Sequence, residues 1–309
     1  MDTTEPAGQT RRGLMTCLAW AGTGIVWTMA GGVPRALGLG GEAEAAAADG
    51  FSFVQISDSH IGFKGEVNPD PGATLRLALD RVAALPAKPA LMLHTGDVTH
   101  LSKPEEFAAA AEILGTARLD THYIPGEHDV IGDDGKQFFA RFGSREATAG
   151  GWYSFDHGGV HFVGLVNVLG FTPGTGGTLG ADQFAWLAAD LKGRGASTPL
   201  VVFAHVPLWP VYPQWGWATG DGEAALAELR RFGSVTVLNG HIHQVVQKVE
   251  GRVTLQTAMS TAFPQPAAGT APGPGPMKVG ADKLRSVLGI RRLDYAPLHG
   301  VAVSDQALA

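Results

Sequence analysis

Cysteine is almost absent from this sequence: Cys17 is the only one in 309 residues, and it lies in the N-terminal segment. The body of the chain therefore has no disulfide and no thiolate, so any metal it holds must be held by oxygen and nitrogen. Basic residues are not in surplus either. A formal charge of −6 is not that of an electrostatic nucleic-acid binder, and no nucleic-acid partner is expected. No internal repeat is found. What is present, 45% hydrophobic and 17% charged residues, fits one large globular domain or a domain with appendages.

The first 48 residues stand apart. Paired arginines in Thr10-Arg11-Arg12-Gly13-Leu14-Met15 precede a mostly apolar run from Leu14 to Val33, broken by Gly22, Gly24, Gly31 and Gly32. Ala43-Glu44-Ala45 and Ala45-Ala46-Ala47 follow as small-x-small cleavage sites. This segment resembles a bacterial twin-arginine export signal. The resemblance implies a protein exported, already folded, to the periplasm or another extracytoplasmic space. It also implies the twin-arginine export machinery as a partner, and membrane contact through the N-terminal segment only. The competing reading is an uncleaved anchor, because about 20 apolar residues can span a bilayer. Cys17 sits at the start of the apolar run, the wrong end for lipid attachment.

From residue 49 to 309 the chain reads as one α/β domain, with a Pro/Gly-rich extension from about 263. Apolar strands are expected at 51–56, 90–94, 121–124, 200–204 and 235–238, and hairpins at 152–155/160–166 and 245–249/253–257. Asp70 with Pro71 starts a helix that Pro86 closes, and Ser102-Lys103-Pro104-Glu105 reads as a capping box opening another that ends at Gly115. Further helices fall at 181–192, 223–230 and 284–288, and a last strand at 298–303. Continuous apolar strands alternating with amphipathic helices predict sheet layers covered by helices.

Five clusters carry the chemistry, each directly after a predicted strand: Asp58-Ser59-His60, Gly96-Asp97, Gly126-Glu127-His128-Asp129, Ala204-His205 and Gly240-His241-Ile242-His243. Taken singly, Gly96-Asp97 is a turn dipeptide and His205 a buried, hydrogen-bonded imidazole. In this order, at strand ends where α/β sites gather, they supply enough carboxylates and imidazoles for two adjacent metal ions. A phosphodiester is anionic and has a poor leaving group. Two cations about 3.5–4 Å apart neutralise its charge, orient it and activate a shared water.

The ordered set resembles the calcineurin-like metallophosphoesterases, whose D-x-H, GD, GNH[DE], single His and GHxH motifs match residues from Phe51 to about Val249. Within that family it is most similar to small bacterial cyclic-nucleotide-type phosphodiesterases. The resemblance implies a layered β-sandwich of mixed sheets flanked by helices. It implies two divalent or mixed-valence metal ions, with Mn, Fe or Zn suiting the O/N donors better than Ca. Asp97 would bridge them; Asp58, His60 and His243 would complete one site, and Glu127, His205 and His241 the other. His128 would contact the phosphoryl oxygens or protonate the leaving oxygen, with Asp129 fixing its tautomer. The reaction would be in-line attack by a metal-bridging hydroxide on a small-molecule phosphate ester, a diester in preference, with a monoester as the other candidate. One position departs from the pattern: Glu127 stands where the family usually has Asn, adding a negative charge. The alternative is therefore a catalytically weak or inactive metal-binding scaffold.

Other residues read more plainly. His94, His122, His157 and His161 lie in or beside strands and are expected to be structural, while His100 is close enough to Asp97 to support the site. Asn68 is expected to cap the surface rather than face substrate. The segment Pro207 to Trp217 holds three tryptophans and a tyrosine just after His205. It is either a packed loop over the sheet edge or an aromatic wall for a base, acyl or aryl group.

Overall fold

The structure, a computed structural model, describes residues 25–30, 33–38, 50–297 and 299–309, in two compact units divided after Ala47. In the first unit, β1 (Ile25–Ala30) and β2 (Val33–Gly38) pair antiparallel. Arg11, Arg12, Cys17 and the expected cleavage sites lie outside the described residues. Among the described residues, no helix is long and apolar enough to cross a membrane.

The second unit contains two mixed sheets. The first has five strands in the order β13 (Gly300–Ala307), β12 (Gly289–Ala296), β3 (Phe51–Ile56), β4 (Leu91–His94) and β5 (Asp120–Tyr123). In it β3, β4 and β5 run parallel, and β12 is antiparallel to both its neighbours. The second has six, in the order β10 (Gln247–Glu250), β11 (Val253–Thr257), β9 (Val235–Asn239), β8 (Leu200–Phe203), β7 (Val160–Gly164) and β6 (Tyr153–His157). Its central strands β11, β9, β8 and β7 are parallel, with an antiparallel hairpin at each edge. The β6–β7 hairpin turns on Gly158 and Gly159, both at positive φ (56° and 80°), as a two-residue primed turn requires.

Strand periodicity explains the layering. On β3, Phe53 points between the sheets while Val54 and Ile56 point outward; Leu91 and Leu93 face inward and Met92 outward. Phe53, Leu93, Phe162, Phe203 and Leu238 fill the space between the sheets, with Phe155 stacked on Phe162 at 4.8 Å. The outer face of the first sheet is covered by α1 (Pro71–Ala83), α2 (Pro104–Gly115), α3 (Lys136–Phe142) and α6 (Leu284–Val287). That of the second is covered by α4 (Ala181–Leu191) and α5 (Gly222–Leu229). Apolar burial of this kind contributes about 25 cal/mol per Å² and drives both layers together.

Local signals behaved as their chemistry dictates, with two exceptions. Asp70 Oδ1 accepts the Ala73 amide at 2.9 Å, with Pro71 in the first turn of α1. The expected capping box at Ser102 is corrected: Lys103 is the N-cap, and Glu106 Oε2 accepts the amides of Leu101 and Lys103. Ser102 Oγ turns away to donate to the His128 carbonyl. The segment beyond 263 is no appendage, because it returns as β12 and β13 inside the first sheet.

At one end of the sandwich the interior turns polar. Gln55 Nε2 donates to Thr95 Oγ1 and to the Asn239 carbonyl, joining the sheets, and Thr95 Oγ1 donates to Ser57 Oγ. Arg291, on β12, is 1% exposed; it donates to both Asp305 oxygens (2.8 and 3.0 Å) and to the Thr257 carbonyl (2.9 Å). Arg291→Ala should lower the unfolding free energy by about 2 kcal/mol, because it removes a buried side chain and its bond to the Thr257 carbonyl while Asp305 stays within reach of water. Urea titration measures it, and a loss under about 1 kcal/mol would show that these bonds carry little.

His94 closes β4, fully buried, with Nε2 2.8 Å from Ser59 Oγ; burial drives its pKa down to about 3. The unfolded chain takes up this proton near pH 6.5 and the folded chain does not, so stability from His94 is lost as pH falls from about 6.5 to about 3. Denaturant titrations at stepped pH should show a shallower acid decline for His94→Asn. An unchanged slope would contradict the assignment.

Candidate dinuclear metal centre

All seven expected ligands meet at the polar end of the sandwich, on loops leaving β3, β4, β5, β8 and β9. The backbone is forced there. Asp58, His60, Asp97, His241 and His243 all have positive φ, between 41° and 70°, a region that side-chain-bearing residues seldom adopt. Strain of this kind persists only where surrounding structure over-determines it, and it concentrates at functional sites. Gly96, also at positive φ, and Gly126 leave no room for a side chain: a Cβ at the first would strike the His205 ring, and at the second the Asp97 carboxylate. The motif glycines are thus set by the closeness of the functional side chains.

The side chains sort into two triads. Asp58, His60 and His243 bring one ligand atom each within 4.8 Å of one another, and so do Glu127, His205 and His241. Each triad draws members from both sheets. Asp97 lies between them: its Oδ1 accepts the His128 amide at 2.9 Å, while Oδ2 stands 3.5 Å from His60 Nε2 and 3.4 Å from His205 Nε2. One carboxylate oxygen therefore faces both groups.

Second contacts aim the imidazoles. His205 Nδ1 donates to the Thr95 carbonyl (2.7 Å) and His243 Nδ1 to the Phe263 carbonyl (2.6 Å), which fixes both rings with Nε2 toward the centre. Asp58 accepts the His241 amide, and its own carbonyl accepts from Ser260. His60 Nε2 and His243 Nε2 approach to 3.2 Å.

The donor set fits cations. Glu127 lies 2.9 Å from both His205 Nε2 and His241 Nδ1, yet these contacts are not aligned as hydrogen bonds. Glu127 Oε2, His205 Nε2 and both His241 nitrogens are buried without a hydrogen-bond partner, a condition rare in folded proteins. An ion held by these atoms satisfies them together.

The electrostatics point the same way. Burial disfavours a charged His205, but Asp97 and Glu127 overturn it and raise its pKa well above the usual histidine value. Burial alone would raise Glu127; His241 and His205 instead hold it well below the carboxylate range. Asp58 is lowered likewise by His243 and His205, against burial. His60 is pushed well below the usual range by burial and by the neighbouring His128 and His243, so it presents a neutral lone pair.

His128 lies beside this cluster, its ring meeting that of His60 edge-on with 4.8 Å between ring centres. The expected partner is corrected: Asp129 does not orient the His128 ring. Nδ1 of His128 donates to the His100 carbonyl at 2.6 Å. Asp129 instead accepts from the amides of Val98, Thr99 and Gly126 and from the Thr99 hydroxyl, stitching the β4 and β5 loops together. Burial and Asp97 push its pKa up to about 7, against the pull of those amides. Burial would lower His128, but Asp97, Glu127 and the His100 carbonyl raise it above its ordinary value.

Of the remaining residues, His100 joins the site: its ring stacks on His128 at 4.9 Å, and its Nδ1 lies 3.3 Å from His60 Nδ1. His161 is held between Asp156 and Asp190, and His122 stacks on Phe155, both away from the centre. Asn68 is buried, donating to Thr74 and the Ala262 carbonyl, and faces no ligand atom. The aromatic segment divides: Trp209 packs under α4 and α5, while Trp215 and Trp217 line a cavity of about 690 Å³ that opens from the centre. Phe171, Phe263 and Gln265 also line it, and no sequence signal marks them. They belong to loops without a motif, and only the fold brings them here.

Comparison with known proteins agrees with this geometry. The chain is 26% identical over 219 residues to a 3',5'-cyclic-nucleotide phosphodiesterase from Nostoc sp., covering 69% of this chain and 79% of that protein. It is 26% identical over 224 residues to the glycerophosphodiester phosphodiesterase GpdQ of Enterobacter lignolyticus, covering 69% and 78%. In fold it matches a dimetal phosphatase from Danio rerio, with a TM-score of 0.57 at 15% identity over 84% of this chain and 99% of the other. A purple acid phosphatase from yellow lupin gives 0.60 at 14% identity, over 84% and 52%. Residues 51–245 match the calcineurin-like phosphoesterase family, and the chain belongs to it.

Proposed function

We propose that this protein is a dinuclear metal-dependent phosphodiesterase acting on a small-molecule ester. The observation that carries the reading is Asp97 Oδ2 facing one imidazole of each triad, 3.5 Å from His60 and 3.4 Å from His205. Asp58, His60 and His243 would hold one ion, Glu127, His205 and His241 the other, and Asp97 both. The mixed oxygen and nitrogen donors favour Mn, Fe or Zn. When bound, such a pair supplies Lewis-acid activation of water and neutralises phosphoryl charge.

The chain's own residues do the rest. His128 has Nδ1 committed to the His100 carbonyl, which leaves Nε2 to give a proton to the leaving oxygen. Its raised pKa keeps that proton available, and Asp129 holds the loop that carries it. The named diesterase relatives favour a diester over a monoester. The N-terminal arginine pair and apolar run support export through the twin-arginine route to an extracytoplasmic space. Glu127 is the one observation that favours a scaffold, since it adds charge where the family usually has a neutral amide.

The test is turnover of bis-p-nitrophenyl phosphate by protein reconstituted with Mn, Fe or Zn, alongside metal analysis. Turnover should disappear with a chelator and return with metal. His128→Ala should lower kcat by about 10²–10⁴-fold at unchanged metal content. Asp97→Asn should lower both metal content and rate. Two bound ions without any turnover would establish the scaffold reading instead.

A further inference from the structure

The cavity leading from the centre has no permanently charged cation in its wall. Among the described residues that line it there is no lysine or arginine, and its carboxylates are Asp97, Glu127 and Asp134. The rest is largely apolar, and this surface begins at the imidazoles themselves. The Phe171 ring meets His241 edge-on at 5.6 Å, and Phe263 stacks on His60 at 4.7 Å. Trp215 and Trp217, 5.0 Å apart, continue it. At the mouth, Ile131 and Leu169 remain 46% and 40% exposed. Leu101, 45% exposed, adjoins them on the loop whose Ser102 Oγ accepts the Ile131 amide at 3.1 Å.

We propose that this cavity selects monoanionic phosphodiesters bearing one uncharged apolar or aromatic ester group, and discriminates against dianionic monoesters and polyphosphates. The inference rests on the phosphoesterase reading above and names its substrate class. Asp58, Asp97 and Glu127 carry three negative charges; the proton on His128 would be offset by the hydroxide nucleophile, and two divalent ions would bring the centre to about +1. That balances one phosphodiester anion. A monoester near neutral pH carries roughly −1.5 to −2, and no lysine or arginine in the wall takes the surplus. Uncompensated charge against so apolar a wall is disfavoured. The second ester group meets aromatic and aliphatic surface, which rewards an aryl or acyl-like substituent and offers a charged one nothing but Asp134. A cavity of about 690 Å³ has room for a phosphate and such a group.

Three substrates with a common p-nitrophenol leaving group decide the matter: phenyl p-nitrophenyl phosphate, methyl p-nitrophenyl phosphate and p-nitrophenyl phosphate. With the metal-loaded enzyme, kcat/KM should favour the phenyl over the methyl diester by about tenfold or more, with the monoester lowest. Ile131→Ser with Leu169→Ser should narrow the phenyl-to-methyl ratio. Ile131→Arg, a substitution at an exposed position, should raise the monoester relative to the diesters. Independently of turnover, tryptophan fluorescence should report tighter binding of diphenyl phosphate than of phenyl phosphate. Equal phenyl and methyl rates, or a monoester preferred over both, would overturn the inference while leaving the phosphoesterase reading intact. Absence of turnover on all three, with metal bound, would sink that reading itself; tighter binding of phenyl phosphate than of diphenyl phosphate would then overturn the selectivity as well.

Discussion

Burying three carboxylates among four imidazoles is the constraint around which this molecule is organised. Asp58, Asp97 and His205 are almost wholly inaccessible to water, and such charges persist in a protein only when each is matched by an opposite charge or a directed hydrogen bond. The matching is visible behind the centre, with amides of His128 and His241 on the carboxylates and carbonyls of Thr95 and Phe263 behind the imidazoles, while Glu127 Oε2 and His205 Nε2 are left for an ion. Much of the surrounding structure can be read as support for those contacts. The polar floor of Gln55, Thr95, Asn239 and Arg291 replaces hydrophobic packing where the sandwich approaches the centre. The unusual backbone at five of the ligand positions follows from the same crowding.

Most of the centre could be read from the sequence, because its chemistry is written in short segments at strand ends. A strand followed by Asp-x-His or Gly-His-x-His announces both where the chain turns and what it carries. The layered α/β architecture was legible for a similar reason: apolar runs too short for helices alternate with amphipathic stretches that are long enough. Strand β12 was not legible. Its Arg291, Arg292 and Asp294 break the apolar pattern, and only the paired sheet shows that Arg291 is buried against Asp305. Helix α3 escaped for want of length and of a cap, since Gly135 precedes it in a left-handed conformation and offers no side chain.

The role of Asp129 shows where motif reasoning stops. Adjacency in Gly126-Glu127-His128-Asp129 suggests a side chain orienting its neighbour, but a tight 3-10 turn carries the two away from each other. The ring is held instead by a carbonyl twenty-eight residues earlier, that of His100. Backbone acceptors leave no trace in residue identity, so no scan of side chains could have found it. The cavity wall was hidden for a related reason. Phe171 and Phe263 come from loops with no chemical signature, and only tertiary folding sets them beside the imidazoles.

That each triad takes members from both sheets has a bearing on how the chain matures. Asp58 accepts the His241 amide across a separation of 183 positions, and neither triad is complete until both sheets are in place. Long-range pairings of this sort are made late, once the entropy of closing large loops has been met. Capture of an ion here would mark the end of folding and would lock the two halves together, not nucleate either one.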